Sequence, residues 1–296
     1  MTAGLRRVGP AVLLLLAVLA AGASPAPQSS AAATVRHVVI MSFDGLGGEA
    51  AREAFPAAMV AQAAHTWTAQ TTLPSSTLPA HTSMLTGVPP SVHGVRSNPT
   101  RPIGRVRLPT VFSIVTQQGG TAAAFVTKPK LLYLLPPGTV GRAELLPYPQ
   151  YPMVAAAREA ARYLAQAQPQ LLFIHLSDPD DAGHRYGWGS APYRQTAARV
   201  PEAVQVILDV LARMGRLEDS LVIVTADHGG RGRLHGGSTP AETTIPWLAF
   251  GAVAPGPITA PVMTYDTAAT AIAALGWPVP SAWVGKPVVQ PVEKVR

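Results

Sequence analysis

Apolar residues along the chain fall into short unbroken runs, separated by stretches in which they recur every three or four positions. Runs at 35–43 (VRHVVIMSF), 122–127, 171–176, 221–225 and 245–250 predict buried strands. Helical spacing marks 153–167, 192–214 and 267–275. Near-continuous apolar strands alternating with helices belong to a sheet buried on both faces. The expected fold class is therefore α/β, with a mostly parallel central sheet. No internal repeat is visible, and the Pro- and Leu-rich stretch 128–152 is expected to be a small insertion beside the sheet.

The first residues follow a different pattern. Arg6 and Arg7 precede an apolar run at 11–21, and small residues follow through Ala23 and Ala26. That is a charged region, an apolar stretch too short to span a bilayer, and an Ala-x-Ala-like cleavage site. The expectation is a signal peptide over 1–26 and export to the periplasm or medium. A linker over 27–34, a single catalytic domain over 35–290 and a tail over 291–296 complete the predicted organisation. No membrane anchor is expected after cleavage.

Composition narrows the chemistry. There is no cysteine among 296 residues, so disulfides, thiolate ligands and a cysteine nucleophile are excluded. Any metal must be held by Asp, Glu, His or hydroxyl oxygen. The formal net charge is +7, but the basic residues are scattered, which suits small anionic substrates and argues against nucleic acid as a partner.

Unusual polar residues sit just after the predicted strands, where functional groups gather in open α/β sheets. Asp44 follows the first strand. Asp178, Asp180, Asp181 and His184 follow the strand at 171–176, and Asp227 and His228 follow that at 221–225. An Asp after a strand is most often a turn or capping residue, and a single His most often a hydrogen-bonding one. Their recurrence at one end of a sheet changes that balance, and Asp/His donors without cysteine suit zinc or manganese. Asp180 and His184 converge if their segment is helical. Asp227 and His228 converge only where the chain leaves its strand, a turn that Gly229 and Gly230 would permit. The segment 71–87 places several hydroxyls at the start of a predicted helix, where the dipole favours an alkoxide or a phosphate.

These residues lie in motifs of a known order: SFDG at 42–45, STLPAHTSMLTG at 76–87, SVHGVRSN at 91–98, DDAGHRYG at 180–187 and TADHGG at 225–230. Over 36–251 the chain resembles the alkaline phosphatase superfamily, in particular its type I phosphodiesterase/nucleotide pyrophosphatase branch. The resemblance implies an alkaline phosphatase-like fold and two divalent metal ions, zinc or manganese. It implies that Asp44, Asp227 and His228 bind one ion, which also contacts the nucleophile Thr77. Asp180, His184 and His235 would bind the other. Asp180 is preferred over Asp178 and Asp181 because it stands four residues before His184, as in the family. Asn98 matches an asparagine that contacts a phosphate oxygen. Diester or nucleotide pyrophosphate cleavage through a phospho-threonine intermediate would follow.

His81 is expected to pack structurally and His93 to order the loop before Asn98. Trp188 and Tyr186 are candidates to line a pocket, with core packing the expected role of each, and His37, His65 and His175 carry no assigned role. The chain has no sulfatase-type Cys/Ser-x-Pro-x-Arg signature and no room for the added domains of larger nucleotide pyrophosphatases. Two alternatives remain. A phosphomonoesterase or phosphonate hydrolase would need extra positive charge, for which Lys128, Lys130, Arg96 and Arg185 are candidates without an assigned place. A metal-binding scaffold without activity would have lost a ligand or the nucleophile, and none is missing.

Overall fold

A computed structural model of the protein describes residues 1–2, 34–101 and 104–292. The leader reading over 1–26 and most of the linker therefore lie outside the described residues. Those from Thr34 onward belong to one unit. No helix among the described residues is long and apolar enough to cross a membrane.

Eight strands form one sheet: β1 (His37–Phe43), β2 (Ala64–Gln70), β3 (Ala122–Val126), β4 (Arg142–Leu145), β5 (Leu171–Leu176), β6 (Ser220–Thr225), β7 (Thr244–Gly251) and β8 (Gly256–Pro257). Their order is β4-β3-β5-β1-β6-β7-β2-β8. From β4 to β6 every neighbouring pair is parallel. β7 runs antiparallel to both β6 and β2, so β2 points the same way as β6. The central strands β1, β3, β5 and β6 are buried at every position, as strands covered on both faces must be. The helices Met153–Ala167 and Val200–Arg213 pack together, the former against β5. A separate group, Thr77–Thr86, Val111–Gln117 and Asp266–Ala274, is joined through the last of these.

Two elements depart from expectation. The helix predicted over 192–214 is two helices, Ala191–Ala197 and Val200–Arg213. Pro201 sits in the first turn of the second helix. Its ring excludes the carbonyl four residues back from a continuous helix, so the chain must restart there. The stretch 128–152 is not an appendage. It supplies β4, which pairs with β3 at the sheet edge, and it opens with a residue of the polar cluster described next.

Candidate active site

Four adjacent parallel strands, β3, β5, β1 and β6, end at the same sheet edge. The residues that follow them, Lys128, the helix Asp178–Tyr186, Asp44 and Asp227–His228, are thereby brought together. β2 delivers the segment leading to the Thr77–Thr86 helix at that same end.

The donor atoms converge. His228 Nε2 lies 3.4 Å from Asp44 Oδ1, 3.3 Å from Asp227 Oδ2 and 4.0 Å from Asp180 Oδ1. Asp180 Oδ1 is also 3.7 Å from His235 Nε2 and 3.5 Å from His184 Nε2. Most of these separations exceed a hydrogen bond, yet they suit ligands that each stand about 2 Å from a shared ion. Asp44, Asp227 and His228 form one tight group; Asp180, His228 and His235 form another that shares His228. His184 joins Asp180 on its helix, but its ring is exposed at the rim.

A fit to metal can be judged from unpartnered atoms. Asp44 Oδ1, Asp180 Oδ1, Asp227 Oδ2, His228 Nε2 and Thr77 Oγ1 are buried without a hydrogen-bond partner among the described residues. Leaving a buried polar atom unpaired costs about 1–3 kcal/mol, and such atoms are rare in folded proteins. The gathering of the four atoms of Asp44, Asp180, Asp227 and His228 points to a cation as their partner.

The histidines are oriented for that role. Each turns its Nδ1 to a backbone carbonyl: His228 to Gly229 O at 2.7 Å, His235 to Ser75 O at 3.0 Å and His184 to Arg233 O at 2.9 Å. A carbonyl can only accept, so Nδ1 carries the proton and Nε2 is left as a lone pair facing the site.

The sequence missed the outer layer. His175 Nδ1 accepts from the Thr127 N–H, so its Nε2–H donates to Asp44 Oδ2 at 2.9 Å. His81 donates to Thr77 O at 2.8 Å and bonds Ser42 Oγ through Nε2 at 2.8 Å. It thus ties the Thr77 helix to β1, beyond simple packing. Lys128 Nζ pairs with Asp44 Oδ2 at 2.7 Å and with Asp180 Oδ2. It takes one oxygen from each carboxylate and leaves both Oδ1 atoms for an ion. In sequence, only a cation just after a predicted strand marked it.

Of the three competing aspartates, Asp180 alone faces the histidines. Asp178 Oδ1 instead accepts the Met153 N–H at 2.9 Å, capping another helix, and Asp181 belongs to neither donor group. Thr77 is the first residue of its helix and is buried. Asn98 Oδ1 accepts from Leu78 N at 3.2 Å and from Lys130 Nζ at 3.0 Å. Its amide N–H groups are left for a ligand at the start of that helix. His93 orders the loop between them, accepting from the Val95 N–H and bonding Ser83 Oγ.

Three expectations are corrected. Tyr186 is 45% exposed beside Arg185 rather than in the core. Trp188 is only partly buried and buttresses the site, donating from Nε1 to Gly45 O at 2.8 Å. Gly229 and Gly230 are not among the residues at positive φ. They are needed for close approach: a β-carbon would meet Ala241 O at 2.1 Å on Gly229 and the Trp188 ring at 2.2 Å on Gly230.

Electrostatics follow from burial and from Lys128. Burial alone would raise the Asp44 carboxyl, but Lys128 and His175 hold it well below the usual range. Burial and the nearby Asp44 push Asp227 up. Burial lowers His228 to about 4, so its imidazole is neutral at pH 7 and able to ligate. Lys128 resists its own burial because Asp44 and Asp180 raise it.

The chain is similar to known proteins in sequence and in fold. The sequence profile of the type I phosphodiesterase / nucleotide pyrophosphatase family matches residues 38–114 and 106–232. Murine ectonucleotide pyrophosphatase / phosphodiesterase 5 superimposes with a TM-score of 0.71 at 14% identity, over 86% of this chain and all (100%) of its own. The phosphonate monoester hydrolase of Agrobacterium radiobacter gives 0.63 at 16% identity, over 81% of this chain and 74% of its own. These likenesses bear on the fold. In sequence, GPI ethanolamine phosphate transferase 1 of Saccharomyces cerevisiae is 30% identical over 91 residues, 30% of this chain and only 10% of the yeast protein.

Proposed function

Because the chain belongs to the type I phosphodiesterase / nucleotide pyrophosphatase family, we propose that it hydrolyses phosphate esters at a pair of divalent cations, with Thr77 as nucleophile. The observation that carries this reading is the convergence of four buried, unpartnered donor atoms, on Asp44, Asp180, Asp227 and His228, at the ends of adjacent strands. Asp44, Asp227 and His228 would hold one ion, and Asp180, His184 and His235 the other, with zinc or manganese suiting the donors. When bound, such ions supply Lewis-acid charge to the phosphoryl group and lower the pKa of nearby hydroxyls.

The chain's own residues do the rest. Thr77 Oγ1 gives up its hydroxyl proton to solvent and attacks phosphorus; the bond to the leaving oxygen breaks, that oxygen takes up a proton, and a threonine-bound phosphoryl group results. Water then cleaves that bond and frees Thr77. In the first turn of the Thr77 helix, Leu78 gives its N–H to Asn98 and Pro79 has none, so the Thr77 N–H is the backbone donor left for the developing negative charge. Asn98 donates from its amide to a non-bridging oxygen. His81 and His175 hold Thr77 and Asp44 in place. Trp188 walls the site beside His184 and His235. Diesters and nucleotide pyrophosphates are the bonds that the family's description names. The basic, apolar and small-residue succession over 6–26 supports export as the setting.

The test compares metal-loaded wild type with Thr77→Ala on bis-p-nitrophenyl phosphate and p-nitrophenyl phosphate. Turnover lost in the variant, with metal still bound, is the expected result. A folded wild type that binds no metal would instead favour a scaffold without activity.

A further inference from the structure

Lys130 is a second cation at this site, and the proposed catalytic steps leave it unused. Its Nζ donates to Asn98 Oδ1 at 3.0 Å, and the same oxygen accepts from Leu78 N, the residue after Thr77. The ammonium therefore stands at the start of the Thr77 helix. Its surroundings differ from those of Lys128. Lys128 is bound to two carboxylates, whereas Lys130 has no ion-pair partner within reach among the described residues. It is half-buried, and both burial and Lys128 disfavour its charge. The three site aspartates act on it in the opposite sense, from beyond salt-bridge distance. A partly desolvated ammonium held by one amide oxygen lacks a counter-anion.

We propose that Lys130 and Asn98 form a subsite for a terminal phosphoryl oxygen, which makes phosphate monoesters the preferred substrate class. This rests on Thr77 chemistry at the neighbouring donors and deepens it. A monoester dianion has three non-bridging oxygens, and a diester has an ester substituent in place of one of them. A terminal oxygen at Lys130 gains a charge-assisted hydrogen bond. An ester carbon there would shield the ammonium from water and give nothing in return. Specificity then arises from the penalty on the diester as much as from the attraction of the monoester. Asn98 is shared, so Lys130 also fixes which amide edge faces the substrate.

The experiment measures kcat/KM for p-nitrophenyl phosphate and bis-p-nitrophenyl phosphate in metal-loaded wild type, Lys130→Gln and Lys130→Arg. Calorimetric binding of inorganic phosphate is followed in each. Gln can still donate to Asn98 but has no charge; Arg keeps the charge. Wild type is expected to prefer the monoester. Lys130→Gln should lose ~10–100-fold on it, the scale of one charged hydrogen bond, with little change on the diester. Phosphate binding should weaken in Gln and persist in Arg. Diester preference in wild type, equal losses on both esters, or phosphate binding unchanged in Lys130→Gln would each overturn the assignment while leaving Thr77 chemistry intact. Metal-loaded wild type silent on both esters would overturn the hydrolase reading and this subsite with it.

Discussion

His228 and His235 stack face to face, their ring centroids 3.8 Å apart and their planes 17° from parallel. Each ring is pinned through Nδ1 to a carbonyl, on Gly229 and Ser75 respectively, so neither can turn away from the other. The stack holds both Nε2 atoms toward Asp180 and discourages protonation of His228, which sits at about 4 through burial first and through its neighbour after that.

Acid should therefore destabilise the metal-free protein. Burial lowers His228 and, with help from Arg96, His93 to about 4, and it depresses His81 and His175 as well. Unfolded histidines titrate near 6.5, so the unfolded state binds more protons between ~6.5 and ~4. The stabilisation from these rings is present above that window and is lost as pH falls through it. Asp178, raised to about 6 by burial, Asp227, raised by burial and Asp44, and Asp181 and Asp266, both raised by burial, act in the opposite sense. The four histidines should outweigh them. Melting temperatures of chelator-treated protein are expected to drop from pH 7 to pH 5; a flat or rising series would contradict the burial of neutral histidines.

Thr77→Ser should retain measurable turnover and Thr77→Ala almost none, because only the hydroxyl is needed for attack. The Ala variant removes one methyl and one unpartnered hydroxyl from a buried site, so its melting temperature should change little. Rates together with thermal melts distinguish lost chemistry from lost fold.

His175→Ala should weaken metal binding by ~10–100-fold, the usual effect of losing a partner that orients a ligand. The His175 Nε2–H no longer fixes Asp44 Oδ2, and Lys128 alone then sets the carboxylate angle. Competition with a chromogenic chelator reads this without any substrate.

Gly45→Ala should destabilise the fold by about 2–3 kcal/mol. Gly45 has φ +73°, and a β-carbon there would lie 2.7 Å from the Asp180 Cα. The clash separates two proposed ligand-bearing segments, so denaturant midpoint and metal affinity should fall together.

The sequence made the central strands plain because β1, β5 and β6 are buried along their whole length, which leaves an unbroken apolar run. β2 (AHTWTAQ) escaped because four of its seven positions are polar and it is only partly buried near the edge. β4 escaped because it is a short edge strand carrying Arg142 and Glu144. The aspartates and histidines were legible because they follow strand ends in a known order of motifs. Lys128 and His175 were not. Their roles depend on β3 and β1 both flanking β5, and strand order is a tertiary fact that no local pattern encodes.

The central claim is tested most directly by acid-quenching the reaction and mapping Thr77 peptides by mass spectrometry, with p-nitrophenyl phosphate as substrate and with zinc-loaded and chelator-treated protein side by side. A phosphoryl group on Thr77 in the loaded protein, and none in the stripped protein or in Thr77→Ala, is the predicted result. Steady turnover with Thr77 unmodified, or with the label on another residue, would contradict the account.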